Sequence, residues 1–164
     1  MLALVPDLEF VRYQKEIFPQ PRSDFDRLFE LHGREVRGKA FDLDYRRYHQ
    51  IEFEGRLIWI VARSMETGQP LGYACSFWYR DLHFDERVAA EDLWFVDRNS
   101  RKLGIGKAVK IQSHIELKKL GVTRVYDTIR RGFNNTAIMH GLGYREWGTR
   151  WVKDLIDTAA ASAA

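Results

Sequence analysis

Arg98-Asn99-Ser100-Arg101-Lys102-Leu103-Gly104-Ile105-Gly106-Lys107 is the stretch that decides the fold, and it joins a strand-like run at 93–96 to a helical run at 108–120. A helix that opens after a glycine-containing loop leaves the N–H groups of its first turn unpaired, and the helix dipole adds partial positive charge at the same end. Arg101, Lys102 and Lys107 add full charges, while glycine lets the backbone approach a ligand closely. The sequence therefore predicts an anion-binding loop.

The spacing of this loop distinguishes three kinds of phosphate-binding motif. A Walker loop requires glycine where Arg101 stands and Ser or Thr where Ala108 stands. A dinucleotide fingerprint requires a third glycine where Val109 stands. The remaining pattern, Arg-x-x-Gly-x-Gly between a strand and a helix, resembles the acyl-CoA pyrophosphate loop of the GNAT acyltransferase superfamily. For the hexapeptide alone, a turn that merely starts a helix stays open as the alternative.

A second motif carries the same resemblance. Phe133-Asn134-Asn135-Thr136-Ala137, closed by Gly141-Leu142-Gly143-Tyr144, is similar to the Asn-x-x-Ala helix of the superfamily. A strand-like segment separates the two motifs, and they occur in the family's order. Two motifs in that order are more specific than either one alone.

Apolar periodicity and turn residues predict the element order β-α-α-β-β-β-α-β-α-β. The predicted strands are 8–13, 57–62, 71–79, 88–96 and 122–129, followed at 144–153 by a last strand or strand-like extension. The first predicted helix begins after the N-cap Ser23, and the others are 44–54, 108–120 and 134–142. For the third helix we expect an apolar side formed by Val109, Ile111 or Gln112, Ile115, and Leu117 or Leu120. Glycines 33 and 38 are expected to weaken the end of the first helix.

This order resembles the GNAT fold, an α/β (α+β) architecture in which helices flank a mixed central sheet with splayed fourth and fifth strands. The resemblance extends from about residue 8 to residue 153. We expect a single domain over residues 1–153 and a flexible tail over 154–164.

The composition is that of an ordinary globular protein, with 45% hydrophobic and 30% charged residues in 164. The lone cysteine, Cys75, excludes an intrachain disulfide and favours a reducing compartment. No apolar run reaches membrane-spanning length, and the start of the chain is too short and uncharged for a signal peptide. We therefore expect a cytoplasmic protein with no membrane partner.

Charge is distributed unevenly along the chain. Residues 98–131 hold ten Lys or Arg and two acids, a net charge of +8, and the remainder carries −5. Residues 81–97 hold six acids and one arginine. The basic segment could meet phosphates and the acidic segment a cation, although a solvated surface stays open as the interpretation of both.

The family resemblance implies acetyl-CoA, or another acyl-CoA, as the cofactor, and no metal. Backbone groups of Trp94, Phe95 and Val96 would pair with the pantetheine amides, and Asn134 would bond near the thiol. The pyrophosphate would lie on the loop made by Arg101, Lys102, Leu103, Gly104, Ile105, Gly106 and Lys107. A simple helix N-cap is a second, compatible role for Asn134.

Acyl transfer to an amine needs a base, because an alkylammonium has a pKa near ~10.4. Glu91 and Asp92 precede the predicted separation of the strands, and alternation should point only one of them into the cleft unless a bulge intervenes. We favour Glu91; a surface or ion-paired carboxylate is the alternative. A backbone N–H of the same strand would stabilise the oxyanion.

Family members often carry a tyrosine that protonates the leaving thiolate, but here the corresponding helix reads Ile138-Met139-His140. His140 is a candidate substitute, as is solvent, and a structural histidine is the competing interpretation. Cys75 lies in mid-strand, where a buried and unreactive thiol is the usual finding.

The sequence thus predicts an N-acetyltransferase that moves an acetyl (acyl) group from acyl-CoA directly to an amine within a ternary complex. The amine would belong to a small molecule or a peptide. Two alternatives stay open: a catalytically silent acyl-CoA-binding module, and a nucleic-acid-directed protein, either a DNA binder or a base-modifying acyltransferase. Nucleic acid ranks below free amines, and the oligomeric state is open, with a homodimer among the options.

Overall fold

The computed structural model describes residues 8–12, 25–129 and 135–148. Its strands are β1 (Leu8–Arg12), β2 (Leu57–Ser64), β3 (Pro70–Arg80), β4 (Arg87–Val96) and β5 (Arg124–Tyr126). Its α-helices are α1 (Phe25–Arg37), α2 (Tyr45–Phe53), α3 (Ile105–Lys119) and α4 (Thr136–Gly141), and a 3₁₀ helix (Arg98–Leu103) precedes α3. Up to α4, the order of strands and α-helices is the one that the sequence predicts.

The chain divides into two compact units between Phe133 and Asn134. The first unit holds the five strands and the helices α1 to α3, and the second holds α4. The single domain over 1–153 and the flexible tail over 154–164 stay predictions. Among the helices of the described residues, none has both the length and the apolar composition needed to cross a bilayer.

The five strands form one mixed sheet in the order β1-β2-β3-β4-β5. Neighbouring strands are antiparallel except β4 and β5, which run parallel and pair only Val88–Ala90 with Arg124–Tyr126. β4 stays paired with β3 as far as Val96. From 91 to 96, its other edge therefore has no strand partner within the described residues. The predicted separation of the fourth and fifth strands is confirmed.

Apolar side chains cover both faces of the sheet in the first unit. Leu28 and Phe29 of α1 pack with Trp59, Tyr73 and Phe95 on one face, where α2 contributes Tyr48 and Ile51. On the opposite face α3 packs Ile105 and Val109 against alanines of β2 and β3, and Leu117 against isoleucines of β2. The sheet is thus enclosed by α1 and α2 on one face and by α3 on the other.

Several predicted boundaries were wrong. The fifth strand spans three residues rather than 122–129, and 144–148 form no strand, while 149–153 lie outside the described residues. α1 continues through Gly33, where a side chain would not fit, because an added Cβ would lie 2.6 Å from the Lys39 carbonyl oxygen. The helix ends before Gly38, whose φ of 73° is left-handed.

The predicted apolar side of α3 was also wrong in part. Its buried residues are Ile105, Val109, Lys110, Ser113 and Leu117, whereas Ile115 is exposed. Periodicity located Val109 and Leu117 correctly, but it could not indicate that a lysine shares their face. Residue type alone assigns a lysine to the surface unless it has partners in the interior.

Candidate active site

A β-bulge in β4 sets the orientation of the two candidate carboxylates. Cys75 of β3 pairs with Leu93 and Ser76 pairs with Glu91, so Asp92 is the extra residue. Leu93 and Phe95 belong to the cluster beside α1 and α2, whereas Trp94 packs under α3. Because a bulge interrupts the alternation of side chains, Asp92 faces α2 together with Leu93, and Glu91 faces α3.

Asp92 is exposed and is held by a single described side chain. The Tyr48 hydroxyl of α2 donates a hydrogen bond to Asp92 Oδ2. Tyr48 packs on Trp59 with ring centroids 5.6 Å apart. Burial raises the pKa of Tyr48 above its ordinary value, and the carboxylate of Asp92 adds to the rise. The phenol therefore stays neutral and remains a donor across the physiological pH range.

Glu91 lies in a buried charge cluster on the other face. Lys110 Nζ is 2.6 Å from Glu91 Oε1 and 2.6 Å from Asp127 Oδ2, with side-chain exposures of 0% for Lys110, 3% for Glu91 and 12% for Asp127. The ammonium also lies 4.3 Å from the Trp94 ring centroid. Burial raises the pKa of Glu91 to about 7, with Lys110 opposing the rise and Asp127 adding to it. The residue favoured from sequence thus sits in an internal ion cluster.

The predicted anion loop follows β4 directly. Asp97 caps the 3₁₀ helix by accepting a hydrogen bond from the Asn99 N–H, and Gly104 joins that helix to α3 with a left-handed φ of 74°. Gly104 provides no side-chain cap for α3. The first-turn N–H groups, from Ile105 to Lys107, thus have no side chain from the cap position, which is the arrangement expected of an anion site.

Side chains of the loop take different roles. Ile105 is fully buried and offers only its backbone, whereas Leu103 is 53% exposed. A Cβ added at Gly106 would lie 3.0 Å from the Trp94 ring. The absent side chain of Gly106 therefore allows close packing of α3 on β4, a reason that the sequence did not indicate. The Lys102 side chain lies outside the described residues.

Arg101, the first residue of the loop motif, binds protein groups. Its Nε donates to the Val96 carbonyl at 3.0 Å, and its Nη2 lies 2.8 Å and 2.7 Å from the two carboxylate oxygens of Glu35 on α1. Arg98 reaches the same carboxylate at 3.1 Å. Partial burial raises the pKa of Glu35, but the hydrogen bonds and charges of the two arginines outweigh it and lower that pKa overall. The positive charge that Arg101 was predicted to add to the loop is therefore neutralised by Glu35.

Two further predicted site residues belong to the second unit. His140 lies on α4 and is exposed, and Asn134 lies outside the described residues. Their catalytic and cofactor-binding roles stay predictions. In the described part of the chain, no group of three or more His, Cys, Asp or Glu side chains is arranged to hold a metal ion.

Sequence reasoning missed four residues of this region: Tyr48, Glu35, Lys110 and Asp127. Lys110 was counted only as one of the ten Lys or Arg residues of the basic segment, although it directly follows Val109 of the apolar face. Asp127 was one of only two acids in the same basic segment, an isolated charge that would have justified a search for a buried partner. Tyr48 and Glu35 carried no distinguishing signal, because their partners are remote in sequence.

Five cations of the basic segment have acidic partners among the described residues. Besides Arg98, Arg101 and Lys110, Lys119 pairs with Glu116 at 2.7 Å and Arg124 pairs with Glu86 at 3.6 Å. Internal pairing lowers the positive potential that the segment presents to a polyanion. The nucleic-acid alternative is therefore not favoured.

A comparison with protein-family models identifies the family of the chain. The model of the Acetyltransferase (GNAT) family matches residues 25–139. A comparison with curated protein sequences found no match.

Three acetyltransferases are among the solved structures that share the fold. An acetyltransferase of Trypanosoma brucei is 18% identical with a TM-score of 0.69, and the match covers 91% of this chain and 100% of that one. An aminoglycoside acetyltransferase from an uncultured soil metagenomic sample, in complex with sisomicin, is 16% identical with a TM-score of 0.71. That match covers 91% of this chain and 97% of the other. Glucosamine-6-phosphate N-acetyltransferase from Arabidopsis thaliana is 17% identical with a TM-score of 0.70, and the match covers 91% of this chain and 99% of the other. With a family model that matches most of its length, the chain belongs to the GNAT family of acetyltransferases.

Proposed function

We propose that this protein is an N-acetyltransferase that moves an acetyl group from acetyl-CoA directly to an amine, with Asp92 as the base. The observation that carries the proposal is the bulge in β4. It turns an exposed carboxylate toward α2 at the point where the strand loses its β5 partner. Two of the earlier candidates, Glu91 and Asp92, thereby receive different roles.

The residues present fit an acyl-CoA molecule. The open edge of β4 offers the backbone of Trp94, Phe95 and Val96 to the pantetheine amides, and the start of α3 from Gly104 to Lys107 offers N–H groups to the pyrophosphate. The cofactor supplies a thioester, which is an activated acyl donor. A bond from Asn134 to the thiol end of the cofactor stays a prediction.

In the proposed reaction, the acceptor amine forms the new N–C bond while the C–S bond of the thioester breaks. Asp92, directly or through one water molecule, takes the proton that turns the ammonium into a neutral amine, and solvent takes the second proton that the nitrogen loses as the amide forms. Tyr48 orients the carboxylate without competing for that proton, because it stays neutral. A backbone N–H of β4 donates to the carbonyl oxygen as negative charge develops there. The leaving thiolate takes a proton from solvent, and a role for His140 as its proton donor stays a prediction.

The acceptor in this proposal is a small cationic amine. Acids between 81 and 97 pair mostly with cations: Asp85 with Arg80, Glu86 with Arg124, Glu91 with Lys110, and Asp97 with Arg27. Asp92 is exposed and has no ion-pair partner among the described residues. Attraction of the ammonium would therefore come from Asp92 rather than from the whole acidic stretch. Aminoglycosides, which the name of one structural neighbour specifies, are cationic amines of this kind, and glucosamine-6-phosphate, in the name of another, is a small amine that also carries a phosphate.

Direct transfer requires no acyl-enzyme, and the only cysteine fits that requirement. Cys75 is fully buried, and burial raises the pKa of its thiol, with Asp92 and Glu91 adding to the rise. Since the thiolate is the reactive form, this cysteine is a poor nucleophile. A cytoplasmic location, which a lone reduced cysteine favours, stays a prediction.

The decisive test is the release of free thiol from acetyl-CoA in the presence of amines from several classes: aminoglycosides, amino sugars, polyamines and peptides. We expect one class to give turnover with the wild type and about ~10²-fold less with Asp92→Asn. Acetyl-CoA binding in isothermal titration without thiol release for any amine would instead support a silent binding module. Failure to bind acetyl-CoA at all would overturn the proposal.

A further inference from the structure

The buried cluster of Lys110, Glu91 and Asp127 stands where the two strands separate. Ala90 is the last residue of β4 that pairs with β5, and Tyr126 is its partner. Glu91 directly follows Ala90, and Asp127 directly follows Tyr126. Lys110 reaches both carboxylates from α3, each at 2.6 Å. One ammonium thus bridges the first residues beyond the ladder on both strands.

The remaining contacts of the cluster hold it firmly in place. Asp127 Oδ1 accepts a hydrogen bond from the Thr128 N–H at 2.6 Å, so both of its oxygens are bonded. The Trp94 ring lies over the ammonium, and Trp94 is a residue of the open edge of β4. Gly106 lies against the same ring. The cluster therefore contacts Trp94 of the open edge, and Trp94 in turn contacts Gly106 near the end of the anion loop.

Stability alone does not account for such a cluster. Burying three charged groups costs desolvation energy, and well-packed apolar residues of similar volume often stabilise a protein equally well or better. Apolar contacts, however, do not fix a distance between two strands, whereas two short charge-assisted hydrogen bonds to one nitrogen do. The ion cluster therefore provides a defined gap between β4 and β5, which an apolar core would not provide.

We propose that Lys110 is a positioning residue for the cofactor: through Glu91 and Asp127 it sets the width of the gap between β4 and β5 that receives the pantetheine arm of acyl-CoA. The inference rests on the proposed function, which places acyl-CoA at this gap. Lys110 itself touches neither the thioester nor the amine in this proposal. Its effect is on how well the strand edges are arranged before the cofactor arrives.

The test compares two ligands that differ by the pantetheine arm. Acetyl-CoA spans the loop and the gap, whereas 3′-phospho-ADP, the nucleotide part of coenzyme A, reaches only the loop. For Lys110→Met and Asp127→Asn, we expect acetyl-CoA to bind about tenfold more weakly in isothermal titration, while the affinity for 3′-phospho-ADP stays unchanged. Lys119→Met, which removes an exposed lysine of the same helix, should leave both affinities unchanged.

Asp127→Asn preserves the side-chain shape and leaves Lys110 paired with Glu91, so it decides the matter if Lys110→Met does not fold. Equal weakening of both ligands, or no change in either, would overturn the inference, because a merely structural role predicts no dependence on the pantetheine arm. Wild-type protein that binds neither ligand would overturn the cofactor site itself. The proposed function would then fail together with the inference.

Discussion

Glu91 and Asp92 are neighbours in sequence with the same chemistry, and the fold gives them opposite surroundings. Glu91 lies beneath α3 with a side chain 3% exposed and an ammonium at 2.6 Å. Asp92 lies on the other face, exposed, with the neutral Tyr48 as its hydrogen-bond donor. A single extra residue in β4 separates the two environments. Burial and partners, rather than residue type, decide which carboxylate can exchange a proton with a substrate.

Protonation also has different consequences on the two faces of the sheet, at Glu91 and at Asp92. A proton bound by Glu91 stays in a closed cluster and changes the balance of a buried ion group, so its effect is on stability. A proton bound by Asp92 is accessible to solvent and to an incoming amine, so its effect is on rate. Mutations of the buried cluster should therefore lower stability, besides their effect on the gap between the strands, whereas mutations at Asp92 should change the rate.

The largest expected effect is the loss of stability when Lys110 of the buried cluster is replaced. Lys110→Met leaves Glu91 and Asp127 buried without their cation, and breaking a buried pair in this way typically costs ~3–5 kcal/mol. Urea denaturation would measure the free energy of unfolding. Lys119→Met, which removes a side chain 64% exposed from the same helix, should change it by less than ~1 kcal/mol. Equal effects of the two substitutions would contradict the structural role of the cluster.

The pH dependence of stability tests Glu91 in particular. The folded protein retains this proton up to about pH 7, whereas the unfolded chain releases it near the ordinary value of 4.5. Between these values the folded state binds more protons, so this group's contribution to the free energy of unfolding falls as the pH rises, on the order of 1–3 kcal/mol in total.

Glu91→Gln removes that contribution. We expect its free energy of unfolding to fall less than that of the wild type between pH 4.5 and pH 7, and to equal or exceed the wild-type value at pH 8. Glu66→Gln, at an exposed turn position, should follow the wild type at every pH. A wild type and Glu91→Gln with parallel profiles would show that this carboxyl does not retain its proton.

On the exposed side, Tyr48→Phe removes the donor to Asp92 while keeping the ring that packs on Trp59. We expect kcat/KM to fall about tenfold, because the carboxylate loses its fixed orientation. Acetyl-CoA affinity should not change, since Tyr48 lies on α2 and the loop precedes α3. Tyr45→Phe on the same helix provides the control. A loss of cofactor affinity in Tyr48→Phe would mean that the tyrosine acts on binding instead.

The smallest effect concerns the thiol on the face of Asp92. Cys75→Ala should keep kcat/KM within about threefold of the wild type, because direct transfer uses no cysteine nucleophile. Mass spectrometry of the wild type incubated with acetyl-CoA should detect no acetyl group on Cys75. An inactive Cys75→Ala variant together with an acetylated wild-type protein would contradict direct transfer.

Motif spacing predicted the anion loop, and the family resemblance implied the fold and the separation of the strands. The choice between Glu91 and Asp92 could not be predicted, because the run Val88-Ala-Ala-Glu-Asp-Leu-Trp-Phe-Val96 looks the same with or without a bulge. That choice depends on the pairing with β3, which only the tertiary structure fixes. Lys110 was missed for a related reason, since its partners lie 19 and 17 residues away in the chain. Charged residues with long-range partners are the least visible to sequence periodicity.

The central claim is that the bulge makes Asp92 the base and Glu91 a structural residue. Its most direct test is the pH profile of kcat/KM for an accepted amine, measured at saturating acetyl-CoA, in Asp92→Asn and Glu91→Gln. We predict that Asp92→Asn loses ~10²-fold or more and that the acidic limb of its profile flattens, the behaviour of a lost general base. Glu91→Gln should retain both the rate, within about threefold, and the acidic limb. A Glu91→Gln variant that loses the rate and the limb, beside an Asp92→Asn variant that keeps both, would contradict the account.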